Sequence, residues 1–556
     1  MTAKIPRGLA EKGHYIRGKW TGIRGETYTL TDPASGSPLA RVIRGTKDDA
    51  EAAVEAAERA FPGWDALGGK RRADLLRKVA ERLERAREEI ALLMTREMGK
   101  VRHEALSEMD GAIDNFDFYC GYARALTGEE VALLPRGETL RLHLEPRGVT
   151  VALTPWNFPA STVTRKLVPI LLTGNTVVLK PSSATPLTAT RIVQCFHEVG
   201  IPPGVVNLVV GPGGEIGETL VRHPSTRTVT LTDSTESGKR VMQYASHGIV
   251  KVLLELGGKA PVIVASDADL SHAARATVYA RFWNAGQSCI AGERVYVSEK
   301  VADRFQEKLR TLSRSLRVGP GWVPGMDMGP LMSAGARDRV EKMVEEARAH
   351  GARLIAGGKV PSGRVPPKGA FYEPTVVTGL TDDSPLIQEE IFGPVLPVLR
   401  VEDVDEAVDR ANRGQYGLSS YVFTRDATVA ERAAKGLRFG EVYINRVGPE
   451  SPQGYHAGYR QSGLGGEGSR FGLLDYMNVK SIYHDWGVPF NTEGWMPYHP
   501  RPGGPPRGGA PPRDRTPGQP VNISPGASRP PMPTIPRPPE PTVPIPWPTP
   551  AFNTSN

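Results

Sequence analysis

Three short stretches of the chain carry the residue types that acyl chemistry needs. The first is Asn284-Ala-Gly-Gln-Ser-Cys289. Glycine and small polar residues ahead of a cysteine let the backbone turn sharply and leave the thiol accessible, and a thiolate is a strong nucleophile. On its own, this pattern fits an unreactive loop cysteine equally well. The second is Glu255-Leu-Gly-Gly-Lys259. It follows a strand-like run, so the carboxylate stands at a strand end, suited to a general base. A surface acid satisfies the same pattern. The third is Thr154-Pro-Trp-Asn-Phe-Pro159. Two prolines fix the backbone around Asn157, and an immobilised amide NH2 suits an oxyanion hole. A buried turn asparagine fits too. The other cysteines are Cys120, among aromatic residues, and Cys195, on an apolar helical face. Both read as inert core thiols.

These residues need elements to hold them. Short β-branched runs occur at Val149–Thr154, Thr176–Lys180, Val205–Val210, Thr228–Thr232 and Val252–Leu254. Helix-like segments such as Leu187–Val199 separate them. That alternation predicts a doubly wound parallel sheet with ligands at its carboxyl edge, where Trp156, Asn157, Lys180, Ser182, Asp233 and Ser234 fall. A second alternation runs from Ala260 to about Asn445 and predicts a second domain of the same class, with the site in the cleft between them. Upstream, Leu75, Leu76, Val79 and Leu83 repeat at helical spacing and predict an amphipathic helix. The run Gly211-Pro-Gly-Gly-Glu-Ile-Gly217 lacks the spacing of the usual dinucleotide fingerprint. Any dinucleotide must be held in another way.

The composition is that of a globular protein long enough for two or more cores: 556 residues, 39% of them hydrophobic. The formal charge is +8, spread without any dense basic block, which argues against nucleic-acid binding. Three cysteines without a Cys-x-x-Cys pair suggest neither a disulfide framework nor a zinc site, so no metal is expected. The first residues have no apolar run behind their charges, and nothing approaches the ~18 apolar residues of a membrane span. A cytoplasmic protein is expected. Beyond Met496 lie 21 of the 50 prolines. From Gly487 to Asn556 the chain therefore reads as a disordered, Pro-rich tail of polyproline II character. An uninvolved extension is the simpler reading, and a ligand for a proline-binding partner the alternative.

Taken together, the motifs resemble those of the aldehyde dehydrogenase superfamily from about Tyr15 to Tyr483. The matching stretches are Phe61-Pro-Gly-Trp64, Glu97-Met-Gly-Lys100, the Asn157 run, Lys180-Pro-Ser182, Glu255-Leu-Gly-Gly-Lys259, Gly286-Gln-Ser-Cys289 and Glu389-Glu-Ile-Phe-Gly-Pro394. Cys289 also follows Glu255 by 34 residues, as in that family. The resemblance implies an α/β fold of two doubly wound parallel-sheet domains plus a small β oligomerisation element. The cofactor-binding domain would span 1–126 and 147–255, the catalytic domain 256–460, and the oligomerisation element 127–146 and 474–486. A homodimer or homotetramer would follow.

The resemblance also implies roles. Cys289 attacks an aldehyde, Asn157 and the Cys289 N–H hold the oxyanion, and Glu255 activates the water that hydrolyses the thioester. NAD or NADP is implied as cofactor, contacted by Trp156, Lys180, Ser182, Ser183, Ser234, Gly257, Glu390 and Phe392. Ser183 stands where many relatives carry a glutamate that repels a 2′-phosphate, so NADP use is implied. Asp233 replaces a glycine at the pyrophosphate. That departure raises the alternative of a redox-dead, thioesterase-like or structural homologue. The run Gly454-Tyr-His-Ala-Gly458 and the pair Arg165-Lys166 resemble the lactaldehyde/glycolaldehyde branch. Arg165 and His456 would then meet a substrate hydroxyl or the nascent carboxylate. A surface arginine and a loop histidine are the equal alternatives. Ile290, apolar where that branch is polar, points away from lactaldehyde itself. The expectation is a short polar aldehyde, with a succinate-semialdehyde-type substrate as runner-up.

Overall fold

The β-branched runs form a sheet in which each strand reaches its neighbour through a helical crossover. The computed structural model of the chain describes residues 8–126, 128–133, 138–363 and 365–485. In it the runs are β1 (Val149–Thr154), β2 (Thr176–Pro181), β3 (Val206–Leu208), β4 (Thr226–Thr232) and β5 (Lys251–Glu255). They lie side by side in the order β3-β2-β1-β4-β5, every pair parallel. Every residue of β1 and β2 is buried, as expected of strands covered on both faces. The order reverses between β1 and β4. Such a switch point opens a crevice at the strand carboxyl ends.

The outer edges depart from the parallel expectation. Tyr15–Ile16 pairs antiparallel with β3, and Gly463–Leu464 pairs antiparallel with β5. Both arrive from distant parts of the chain. Only a crossover imposes parallel direction, so these short edges are free to run the other way.

The second sheet comprises β6 (Ala260–Val264), β7 (Gly292–Ser298), β8 (Thr375–Thr378), β9 (Val395–Val401), β10 (Ser419–Phe423) and β11 (Glu441–Ile444). Its order is β8-β9-β7-β6-β10-β11, all parallel, with Arg353–Ala356 antiparallel outside β8. The chain leaves β5 at Glu255 and enters β6 at Ala260. That link joins the carboxyl edge of the first sheet to the amino edge of the second. The sequence pointed only to carboxyl edges. The second sheet contributes its amino edge instead, since Cys289 precedes β7 and Glu441 opens β11.

The expected amphipathic helix is Gly68–Arg85, with Leu76, Val79 and Leu83 buried and Leu75 half-buried. The Phe61-Pro-Gly-Trp64 motif is an anchor: Trp64 Nε1 donates to the Leu171 carbonyl at 3.0 Å. A three-stranded antiparallel sheet joins the hairpin Glu129–Leu133 and Glu138–Pro146 to β12 (Met477–Asp485). These are the hairpin and late strand expected from the sequence. Val479 and Tyr483 stand exposed on β12. Cys120 and Cys195 are buried. Among the described residues no helix is long and apolar enough to cross a membrane, and no group of His, Cys, Asp or Glu is placed to hold a metal ion. The expectations for residues 487–556 lie outside the described residues.

Candidate active site

Asn157 follows the end of β1 and is buried. Its carbonyl accepts from Lys100 Nζ at 3.0 Å and from Asn284 Nδ2 at 3.1 Å. Its own Nδ2 donates to the Gln287 carbonyl at 3.1 Å. Lys100 is itself paired with Glu108, which accepts from the Ala160 and Ser161 amides at 2.8 and 3.1 Å. The Glu97-Met-Gly-Lys100 motif thus clamps the backbone of the oxyanion-hole candidate.

Cys289 is reached through three consecutive residues in the left-handed region: Asn284 (φ 52°), Ala285 (φ 54°) and Gly286 (φ 74°). Alanine rarely adopts this conformation, and such strain persists only where neighbours enforce it. Here the Asn284 amide donates to Glu104 Oε1 at 3.0 Å, and Gln287 Oε1 accepts from the Met332 amide at 2.7 Å. The turn delivers a half-buried thiol into the cleft.

The link from β5 to β6 passes directly behind it. The Gly258 amide donates to Glu390 Oε1 at 2.8 Å. A Cβ on Gly258 would collide with the Cys289 carbonyl, and one on Gly257 would lie 2.8 Å from Glu390 Oε2. The two glycines are what the close packing of Cys289, Glu390 and this link requires.

Three cavities adjoin along the cleft. The first, about 150 Å³, is lined by Asn157, Arg165, Glu255, Cys289, Glu450 and His456. The second, about 230 Å³, is lined by Trp156, Asp233, Ser234, Gly257, Glu390 and Phe392, with Asn157 and Cys289 again. The third, about 280 Å³, is lined by Lys180, Ser182, Ser183, Asp233 and Arg240. Cys289 and Asn157 therefore stand where the first two cavities meet, and Asp233 where the second meets the third. Every site residue expected from the sequence lines one of the three. The Trp156 and Phe392 rings pack edge to face at 5.5 Å. One oxygen of the Asp233 carboxylate accepts from the Ser234 amide at 2.5 Å, and the residue lines both the second and the third cavity. Burial lowers Lys180 to about 8, and nearby Asp233 works the other way.

Around the first cavity lies a buried charge cluster. Arg165 pairs with Glu450 and, at 4.0 Å, with Glu467. Lys166 pairs with Glu467 and donates to Thr230 Oγ1 at 2.9 Å. His456 Nδ1 meets Glu441 Oε1 at 3.0 Å, and its Nε2 lies 3.4 Å from Glu255 Oε2. The cations are Arg165, Lys166 and His456; the carboxylates are Glu255, Glu441, Glu450 and Glu467. One carboxylate is in excess, and Glu255 has neither a lysine nor an arginine against it. Burial accordingly pushes Glu255 up to about 8, against the pull of His456. Burial opposes ionisation of Glu450 as well, yet Arg165 holds it down at about 2. Burial works against a charge on His456, but Glu441, Glu450 and Glu255 outweigh it and raise its pKa well above the usual value. The Cys289 thiol is raised by burial, with His456 pulling the other way.

Lys100, Gly258, Glu441, Glu450 and Glu467 belong to this site, and sequence reasoning assigned them no role. For Glu441 a weak signal existed, a carboxylate opening an otherwise apolar strand. For Glu450 and Glu467 there was none, since their partners on the 161–172 helix are distant in sequence.

A stability test follows from the cluster. Lys166→Met leaves Glu467 buried without its ammonium, which should cost about 3–5 kcal/mol. A clearly lowered melting temperature is expected. An unchanged one would mean that the pair is not buried in solution.

The model of the family described as "Aldehyde dehydrogenase family" matches residues 20–482. A D-glyceraldehyde dehydrogenase (NADP(+)) of Thermoplasma acidophilum is 44% identical over 474 residues, covering 85% of this chain and 96% of that one. Lactaldehyde dehydrogenase of Escherichia coli is 40% identical over 84% of this chain and 98% of its own length. The crystal structure of lactaldehyde dehydrogenase from Escherichia coli superimposes with a TM-score of 0.83, covering 85% of this chain and 99% of that chain. With these matches added to the cysteine, carboxylate and amide gathered at one junction, the chain belongs to the aldehyde dehydrogenase family.

Proposed function

We propose that this NAD(P)-dependent dehydrogenase oxidises a short, neutral, hydroxylated aldehyde through Cys289. The observation that carries the substrate reading is the charge state of the first cavity. Its Arg165 is already matched by Glu450 and Glu467, and its His456 by Glu441. No cation is left to pair with a second carboxylate, as a semialdehyde would require. The Thr232 hydroxyl and the Glu255 carboxyl line the cavity without a hydrogen-bond partner in the protein and remain for a hydroxyl. The glyceraldehyde and lactaldehyde dehydrogenases among the relatives support the same class.

The residues divide the work by position. The Cys289 sulfur attacks the aldehyde carbon, and its proton departs. Asn157 Nδ2 and the Cys289 N–H hold the resulting oxyanion. The dinucleotide supplies a hydride acceptor when bound. Once hydride has left the carbon, a thioester joins the acyl group to Cys289. Glu255 takes a proton from water, which then attacks the thioester and frees the carboxylate and the thiol. Arg165 and His456 flank the substrate hydroxyl.

The second and third cavities suit a dinucleotide. Gly257 leaves open the space that a Cβ would take beside Glu390, Glu390 and Phe392 border the nicotinamide end, and Trp156 and Ser234 line the passage. Lys180, Ser182 and Ser183 border the adenosine end. Serine at 183 brings no negative charge there, which favours NADP, the cofactor in the name of the Thermoplasma relative. Asp233 is turned onto its own helix start, so its presence does not favour the redox-dead alternative.

An aldehyde panel tests the substrate class. Glycolaldehyde, lactaldehyde and glyceraldehyde should exceed succinate semialdehyde in kcat/KM by about tenfold or more with NADP, because an unpaired buried carboxylate costs over about 1.4 kcal/mol. Preference for the semialdehyde would overturn the reading.

Glu255 also sets a pH dependence. A base must be ionised to act, and this carboxyl ionises near 8. Turnover limited by hydrolysis should therefore rise with pH through that value. Glu255→Gln should remove the inflection and lower kcat by about 10²–10⁴-fold. A wild-type profile flat across that range would exclude Glu255 as the base.

We further infer a homodimer or homotetramer joined through the sheet containing β12, where Val479 and Tyr483 are exposed at 60% and 74%. Light scattering should give a dimeric or tetrameric mass. A monomer at working concentration would discard this assembly.

A further inference from the structure

The catalytic scheme leaves one buried group without an electrostatic task. His456 is 4% exposed and belongs to neither the oxyanion hole nor the water-activating step. Its surroundings fix it on every side. Its backbone exchanges two hydrogen bonds with that of Glu467, both 2.8 Å. Its Nδ1 meets Glu441 Oε1 at 3.0 Å. Glu441 is itself immobilised, since its Oε2 accepts from Ser419 Oγ at 2.7 Å and from Tyr443 Oη at 3.1 Å. The ring is thereby aimed with Nε2 3.4 Å from Glu255 Oε2, in the cavity that Cys289 also lines.

A thiolate at Cys289 needs such a partner. The sulfur is half-buried in the cleft, and an anion partly withdrawn from water is costly unless it is paired. Lys100 is paired with Glu108, Lys166 with Glu467, and Arg165 with Glu450 and Glu467. His456, with Nδ1 on Glu441, turns its Nε2 edge into the cavity that Cys289 also lines, where Glu255 is the carboxyl facing it.

We propose that His456, held by Glu441, is a fixed cation that stabilises the Cys289 thiolate. It acts as a positioning residue. The thiol proton leaves to solvent, and the imidazolium keeps both of its own protons. It is therefore neither the base of a cysteine–histidine pair nor a replacement for Glu255. The groups facing the ring are Glu441 on β11, Glu255 at the end of β5, Glu450 and Glu467 from the later loops, and Cys289. Arg165 and Lys166 lie behind Glu450 and Glu467. These two cations match Glu450 and Glu467, which leaves Glu441 and Glu255 to face His456. The carboxylates around the ring favour its charged form and raise His456 well above its usual value. The proposal rests on Cys289 being the nucleophile.

Alkylation of the enzyme by iodoacetamide, without cofactor or aldehyde, tests this directly. The rate at Cys289 is followed by mass spectrometry against pH in the wild type, His456→Gln and Glu441→Gln. Buried Cys120 and Cys195 serve as internal references. His456→Gln should move the inflection up by about one unit or more, slowing alkylation about tenfold below it, with a similar plateau above it. Glu441→Gln should move it the same way by less. An unmoved inflection in a folded His456→Gln overturns the proposal. So does a lowered plateau with no shift, which marks a steric role only. Should His456→Gln not fold, Glu441→Gln decides by the same criterion. Failure of the underlying assignment shows separately, as turnover that survives complete alkylation of Cys289.

Discussion

The structure depends on the passage of the chain from Glu255 to Ala260. One strand of the first sheet ends there and one strand of the second begins, so a single short link spans two parallel sheets. Its backbone is pinned by Glu390 at the Gly258 amide and packs against the Cys289 carbonyl. Glu255, Cys289 and Glu390 are thereby held to one another around one stretch of main chain. Movement of the link would misplace all three at once. Catalytic geometry tolerates little of that, since misplacement by about 1 Å can cost about 10²-fold in rate.

Much of this was legible in the chain itself. The strands at 149–154, 176–181 and 251–255 fall within a residue or two of the β-branched runs, because fully buried parallel strands must be continuously apolar. The helix after β2 was equally clear. Asn157, Glu255 and Cys289 were each ambiguous alone. Their ambiguity was resolved by position, since a strand end, a strand end and a strained turn meet at one junction. The edges were not legible. Tyr15–Ile16 and Gly463–Leu464 are two residues each, too short for a periodic signal.

The partners of the site were the least legible part. Lys100 lies in a quoted motif, yet its contact with the Asn157 carbonyl joins segments 57 residues apart. Glu467 meets Lys166 across 301 residues. Nothing local in composition marks such pairs, because what selects them is the desolvation each would suffer alone. Asp233 shows the same limit of local reading. A glycine-to-aspartate change reads as a negative charge placed on a pyrophosphate. In three dimensions the carboxylate finds the Ser234 amide one residue away, and the channel remains continuous past it.

The charge cluster links these observations to chemistry. With Glu255 neutral, Arg165, Lys166 and His456 balance Glu441, Glu450 and Glu467. Ionising Glu255 adds a fourth carboxylate without a fourth cation. The same burial therefore has opposite outcomes for neighbouring acids, holding Glu450 at about 2 and Glu255 at about 8. A general base gains from this arrangement, because its proton affinity is brought near the working pH while its neighbours stay ionised. The proton affinity of Glu255 thus follows from one balance of buried charges and is not set by Glu255 alone.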